Sequence, residues 1–296
     1  MKRALAVGIL ACAACSGPER VPPLEHDLRR TADQARLAFG SGDLLRAKLL
    51  FGRVLELARL VDDPLAAGNA GFNLALVHAE AGDLALAESV LTESEAALRR
   101  AGEPLADASL LRAKIAWLRG DAPAAERGIA TALADQRTAP NNALARECAV
   151  LKGHLACDRK DVLAARESLA TARGLAASID GGAESPGLLH LEGRIEAVEG
   201  RPASAAALWD REAAKLRSVR NYRQMAQALA RAGEAHAAGG APAMAGDRVL
   251  RAARSRLAAG DFREARVLAR RAGELAESSG DTALIQRVAG LAAELQ

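Results

Sequence analysis

Aromatic side chains are almost missing from this chain: four Phe, two Trp and one Tyr among 296 residues. A core cannot rest on so few rings, so the 50% of residues that are hydrophobic must build it from Ala and Leu. Such a core buries less apolar area per residue than one rich in Phe or Ile, and its stability has to come from many contacts between units. No charge sign dominates. The formal net charge is +3, and removing Lys2 and Arg3 takes it to +1. Without a long basic run or a basic patch interleaved with aromatics, nothing points to nucleic acid. The apolar run Ala4–Ala14 is too short to span a membrane. A phosphate-binding Gly loop, a dinucleotide fingerprint, a nucleophile elbow and a calcium loop are also missing.

What the chain does have is a loop signal about every forty residues: Gly42, Gly82, Gly120, Lys160, Gly200, Gly240 and Gly280. Seven residues before each stands a small residue: Ala35, Ala75, Ala113, Gly153, Gly193, Gly233 and Gly273. Five residues after it come Ala47, Ala87, Ala125, Ala165, Ala205 and Ala245. Nine after it come the bulky Phe51, Leu91, Ile129, Leu169, Trp209 and Val249. Ala makes up 72 of the 296 residues, and even at that frequency six in register at one slot lies far outside chance.

Each unit therefore reads as two helices of about 15 residues joined by a tight turn. A small residue on each helix lets the two backbones approach within the unit, and the bulky residue one turn on fills the flank. Pro64, Pro104, Pro140 and Pro186 mark helix starts. Asp43, Asp83, Asp121, Asp161 and Asp261 stand where a carboxylate can cap the next helix. Gly260-Asp261 lies halfway through the period and reads as a loop between units. The length alone would suggest about two domains, but no composition break divides the chain. The loosest joint is Ser178–Gly187, "SIDGGAESPG", either a hinge or a longer loop.

The small–turn–Ala–bulky register resembles the tetratricopeptide-repeat family in its variety of roughly forty residues. The stretch "LELARLVDDPLAAGNAGFNLALVHAEAGDLALAES" carries it most clearly. The resemblance covers residues 24–296 and implies an all-α, right-handed α-solenoid of about seven helix-turn-helix repeats. Two departures stand out. The aromatics usual early in the first helix are replaced by Thr31, Gly71, Ser109, Ala149, Leu189 and Leu229. Ile285 takes the Ala slot of the last unit, so residues 282–296 are expected to form a capping helix.

In that family the first helix of each unit lines the concave face. Carried onto this chain, the position after each small slot gives Arg36, Leu76, Lys114, His154 and Arg194, then Glu234 and Glu274. Around them fall Phe39, Asn69, Phe72, Asn73, Leu110, Leu111, Trp117, Leu191 and Arg231. The resemblance thus implies a mainly basic row flanked by exposed apolar anchors, suited to an acidic or neutral peptide segment. A solvated basic face with apolar residues packed between units is the alternative.

At the N-terminus, Met1-Lys2-Arg3 and the apolar run lead to Ala13-Ala14-Cys15 and then Ser16. This resembles a bacterial lipoprotein signal, with 1–14 removed and Cys15 lipidated; an ordinary secreted protein is the other reading. Cys12 would leave a signal of only 11 residues. By the same resemblance, Ser16 after the cysteine favours the outer membrane. Residues 15–23 then form a short tether with three prolines, and Ser16–Pro23 reaches at most roughly 28 Å.

The remaining cysteines, Cys148 and Cys157, lie nine residues apart on one helix, about 13 Å along its axis and on opposite faces. They cannot bridge, and are either buried free thiols or include a reactive one. His154, Cys157 and Asp158 share a face as a nucleophilic pair, a partial metal site, or simply a polar face beside a buried thiol. With no two-His motif or Cys-x-x-Cys nearby, the last is preferred.

Together these features imply a lipid-anchored interaction scaffold or assembly factor of the bacterial envelope. Its partners would be envelope proteins bound through extended or helical segments, with no enzyme activity, no cofactor and no metal. A small-ligand or glycan sensor using the same concave face is the alternative. An enzyme is a third, less supported reading.

Overall fold

The computed structural model describes residues 23–135, 141–180, 182 and 184–295. The expected signal, Cys15, most of the tether and Pro140 lie outside the described residues. Among the described residues there are fourteen helices and no strands. They form seven antiparallel pairs: α1 (Pro23–Gly40) with α2 (Leu44–Leu60), α3 (Pro64–Ala81) with α4 (Leu84–Ala101), and α5 (Ala106–Leu118) with α6 (Ala122–Asp135). Then follow α7 (Asn142–Asp158) with α8 (Val162–Asp180), α9 (Pro186–Val198) with α10 (Pro202–Ser218), α11 (Tyr222–Ala238) with α12 (Pro242–Ala258), and α13 (Phe262–Ser279) with α14 (Thr282–Glu294). The all-α repeat solenoid expected from the register is the observed fold, and α14 takes the place of the expected C-terminal helix.

The loop slot works by backbone geometry. It stops each first helix in a left-handed residue, with φ +79° at Gly120 and +59° at Lys160, the one unit where a side chain occupies it. Asp43, Asp121, Asp161 and Asp261 then accept from the backbone N–H three residues on. Asp83 departs from this pattern. Its carboxylate makes no cap and lies 3.5 Å from His78 Nδ1 instead. Pro64 and Pro186 open α3 and α9, and so do Pro202 and Pro242 for α10 and α12. Pro104 does not open a helix. It sits in the connection before α5, where its fixed φ suits a loop equally well.

The small slots are close approaches. A Cβ on Gly193 would lie 2.5 Å from Trp209 Nε1, and one on Gly233 2.5 Å from Val249 Cγ2. In both cases the neighbour is the bulky residue nine after the loop of the same unit, as the register requires. Gly153 differs: its Cβ would meet Leu191 Cδ2 of the next unit at 2.5 Å, so this slot serves contact between successive first helices. Ala47, Ala87, Ala125, Ala165, Ala205 and Ala245 are all fully or almost fully buried.

Units stack in two ways. Three-residue connections join α2 to α3, α10 to α11 and α12 to α13, and these pairs pack along most of their length. The middle junctions are longer, and there α5 meets α7 and α7 meets α9, forming an inner layer of first helices. The joint near Ser178 is one of these. Ser178 itself belongs to α8, and α9 packs on both α7 and α8. Ion pairs recur one repeat apart, such as Arg59–Glu93 at 2.8 Å, Lys114–Glu147 at 3.1 Å and Arg271–Glu234 at 2.8 Å. Each is more than a third exposed and contributes at most about 1 kcal/mol.

The stack curls far enough to meet itself. Gln224 Nε2 in α11 donates to Glu80 Oε1 in α3 at 3.2 Å, across 144 residues of sequence. Beside this contact, a Cβ on Gly42 would lie 3.3 Å from Arg223 Cβ. The first helices of units two to six therefore surround a lumen.

Candidate binding site in the lumen

The first helices of these units turn one face inward at three-, four- and seven-residue spacing: Leu76 and Glu80 on α3, Lys114 and Trp117 on α5, Glu147 and His154 on α7. His190 on α9 continues the ring, and Gln224, Gln227 and Arg231 on α11 close it. The second helix α10 adds Glu212. They line a half-open cavity of about 400 Å³, within the size range of small-molecule sites.

A chain of rings and charges crosses one wall. Trp117 stacks on His154 with centroids 5.1 Å apart and planes 11° from parallel. His154 meets His190 at 5.0 Å. His190 Nδ1 lies 3.4 Å from Glu212 Oε2, outside hydrogen-bond geometry. Glu212 Oε1 accepts from Arg231 Nη2 at 2.9 Å. At the other end Asp158 accepts from Trp117 Nε1 at 2.6 Å and from Arg194 Nη2 at 2.5 Å. The Arg194 guanidinium lies 5.8 Å from the centre of the Trp117 ring.

Burial dominates the electrostatics. It holds His154 well below the usual histidine range, with His190, Arg194, Arg231 and Lys114 adding repulsion against a proton. Burial also lowers His190, outweighing the pull of Glu212. Both rings are neutral near pH 7. Inside the wall His154 Nδ1, His190 Nδ1 and Glu212 Oε2 are left without hydrogen-bond partners, and His154 and Glu212 are exposed by only 6% and 5%. Arg231 Nε is likewise unpartnered. Buried polar groups are rarely left so.

No protein-family profile matches the chain, and no curated protein does. Solved structures do. A Rap protein complexed with competence and sporulation factor is similar over 92% of this chain and 87% of its own, at 14% identity and a TM-score of 0.62. A signal-transduction ATPase of the STAND class with a tetratricopeptide-repeat sensor, from Pyrococcus horikoshii, is similar over 92% of this chain and 44% of its own, at 13% identity and TM-score 0.56. The Cut9–Hcn1 hetero-tetramer of APC/C follows, covering 90% of this chain and 57% of its own at 13% identity, with TM-score 0.51.

This chain has the tetratricopeptide-repeat fold.

Within that fold, the cavity brings together Leu76, Lys114, Trp117, His154 and Arg231 of the expected partner-binding residues. Arg194 joins them through Asp158 and Trp117. Arg36, Asn69, Phe72 and Asn73 do not line it. Arg36 pairs with Asp33 at 2.5 Å, Asn73 Nδ2 donates to Asn69 O of its own helix, and Phe72 packs half-buried on the second unit's core. Two parts of the expected surface need correction. Leu110, Leu111 and Leu191 are buried rather than exposed anchors, since each reaches into the packing between helices. The basic row is neutralised: Arg36, Lys114, Arg194 and Arg231 each face a carboxylate, Asp33, Glu147, Asp158 and Glu212. Counting Glu80, the lining carries one more carboxylate than cation.

His190, Glu212, Gln224 and Gln227 were missed by the slot rule. His190 stands one turn before Arg194 on the same face, so the four-residue spacing could have found it. Glu212 comes from a second helix, which the rule leaves out. Cys148 and Cys157 are both buried free thiols, pushed up by burial, Cys148 to about 11, so neither is a ready nucleophile. Among the described residues no three metal-ligating side chains gather, and no helix is long and apolar enough to cross a membrane.

Proposed function

We propose that this chain is a lipid-anchored interaction scaffold of the bacterial envelope. Cys15 carries the anchor on the outer membrane, and the lumen, facing the periplasm, holds an extended or helical segment of a neighbouring envelope protein. The observation that carries this reading is the lumen itself, walled by five first helices and lined with buried polar atoms lacking partners. Two of the similar folds were solved with another molecule bound: the Rap protein with competence and sporulation factor, and Cut9 with Hcn1. The short tether keeps the lumen close to the membrane surface and favours membrane-proximal partners. The converging polar groups also favour a second reading, a sensor that takes a small ligand or glycan in the same cavity.

The test is site-specific photocrosslinking in intact envelopes. A photoreactive residue at Gln227, in the lumen, should trap an envelope protein, whereas one at Ala130, exposed on the outer helix α6, should not. Trapping from Ala130 alone would move the partner to the convex face.

A further inference from the structure

The first unit presents a face that the later units lack. On α2, Leu45, Leu49 and Leu60 share one side of the helix and are exposed by 72%, 67% and 71%. At the offset of Leu49 from the loop, the later units carry Ser89, Arg127, Glu167, Ala207, Asp247 and Arg287. At the offset of Leu45 they carry Ala85, Pro123, Leu163, Ala203, Ala243 and Ala283. Only Leu163 is comparably bulky, and Glu167 stands one turn after it. α2 thus has two apolar sides: Ala47, Phe51, Val54 and Ala58 face the core, and the leucine stripe faces away.

Cations border that stripe on both edges, Arg46 and Arg53 along one, Lys48 and Arg59 along the other. Against these four cations α2 carries one carboxylate, Glu56, which Arg53 holds at 3.0 Å. The stripe also lies where the expected tether joins the solenoid. Pro23 opens α1 eight residues after Cys15. Leu28 of α1 packs on the cluster of Ala58, Ala67 and Ala97, so the start of α1 lies level with the Leu60 end of the stripe. From Leu60 to Leu45 the stripe runs about 22 Å.

We infer that this face of α2 rests on the phospholipid surface that holds Cys15, its leucines at the acyl boundary and its cations at anionic headgroups. A helix with an apolar stripe between basic edges is suited to lying in the plane of an interface, where Arg and Lys stems reach back to the phosphates. Three leucines and a few cations bind a bilayer weakly on their own. A short tether supplies the high effective concentration that keeps such a weak face occupied. The face therefore orients an anchored chain and is not a second anchor. The inference rests on the proposed lipidation of Cys15, and it extends a point of attachment to a fixed orientation of the solenoid.

The experiment uses the lipidated full chain, purified from membranes and reconstituted into vesicles of phosphatidylethanolamine and phosphatidylglycerol. Leu49→Cys carries a nitrobenzoxadiazole label, and Leu163→Cys, at a side chain 77% exposed on α8, is the matched control. Cys148 and Cys157 are buried, so the label goes to the introduced thiol. When the vesicles contain brominated acyl chains, the label at 49 should be quenched severalfold more than the label at 163. Arg46→Glu with Lys48→Glu should move the ratio of docked to undocked chain at least about tenfold toward undocked. The melting midpoint and flotation with vesicles should not change, because both side chains lie outside the core and the lipid is kept. Exchanging phosphatidylglycerol for phosphatidylcholine should act in the same direction. Equal quenching at 49 and 163, in a protein that still floats with the vesicles, overturns the docking face and leaves the anchor standing. An emission shift at 49 without vesicles, growing with protein concentration, would make the stripe an interface between copies and overturns it too. A wild type that carries no fatty acid removes the anchor, and the docking face falls with it.

Discussion

Ala125→Leu is expected to lower stability by roughly 1–3 kcal/mol, read from the midpoint of a denaturant melt. Ala125 is fully buried where α6 crosses α5, among Leu110, Ala113, Ile129 and Leu144. The crossing is already tight, since a Cβ on Gly128, one turn along α6, would lie 2.8 Å from Ala113 Cβ. Added methylenes have no void to fill, so the helices must part or side chains must leave their rotamers. Because each unit buries its faces only on its neighbours, the loosening should spread to the α5–α7 contact as well. Ala130→Leu is the control. It lies on the same helix but exposed, and should change stability by less than about 0.5 kcal/mol. Equal losses at the two positions would mean that the small slots do not set the helix approach.

Cys15→Ser is expected to move the protein from the membrane pellet almost entirely to the soluble fraction, with loss of fatty-acid labelling. One acyl chain holds a protein to a bilayer only marginally, and two or more hold it stably. With the cysteine gone, no other anchor is proposed. Among the described residues no helix could replace it, because none is long and apolar enough to span a bilayer. The variant should fold like the wild type, since α1 starts at Pro23, the last residue of the expected tether and eight residues after Cys15. A Cys15→Ser protein that stays in the pellet, with a wild type that takes up no label, would refute the anchor.

The fold was legible because its rule is local. A left-handed loop residue, a small residue seven before it and Ala five after it all act within one unit, and Gly193 against Trp209 shows the rule met at atomic contact. Gly153 marks its limit. Its slot is small for a neighbour in the next unit, Leu191, and no spacing within one repeat separates the two cases. The site was legible in part for the same reason. Lys114 and His154 follow from their position after the small slot, whereas their ionic and ring partners come from other helices. Glu147 and Glu212 cancel the cations that the row seemed to display. The curl was not legible at all. It depends on the angle at each junction, summed over units, and only that sum brings Gln224 to Glu80.

A thiol crosslink measures most directly whether the solenoid curls back on itself around a lumen. Glu80→Cys with Gln224→Cys places a pair at the 3.2 Å contact between α3 and α11. Cys148 and Cys157 are buried with thiols pushed up, so a short bis-methanethiosulfonate should react at the new pair alone among the described positions. An intramolecular bridge is expected in the folded protein, lost in denaturant, and none in either single variant. Two separately modified thiols with no bridge would show an open solenoid and remove the lumen.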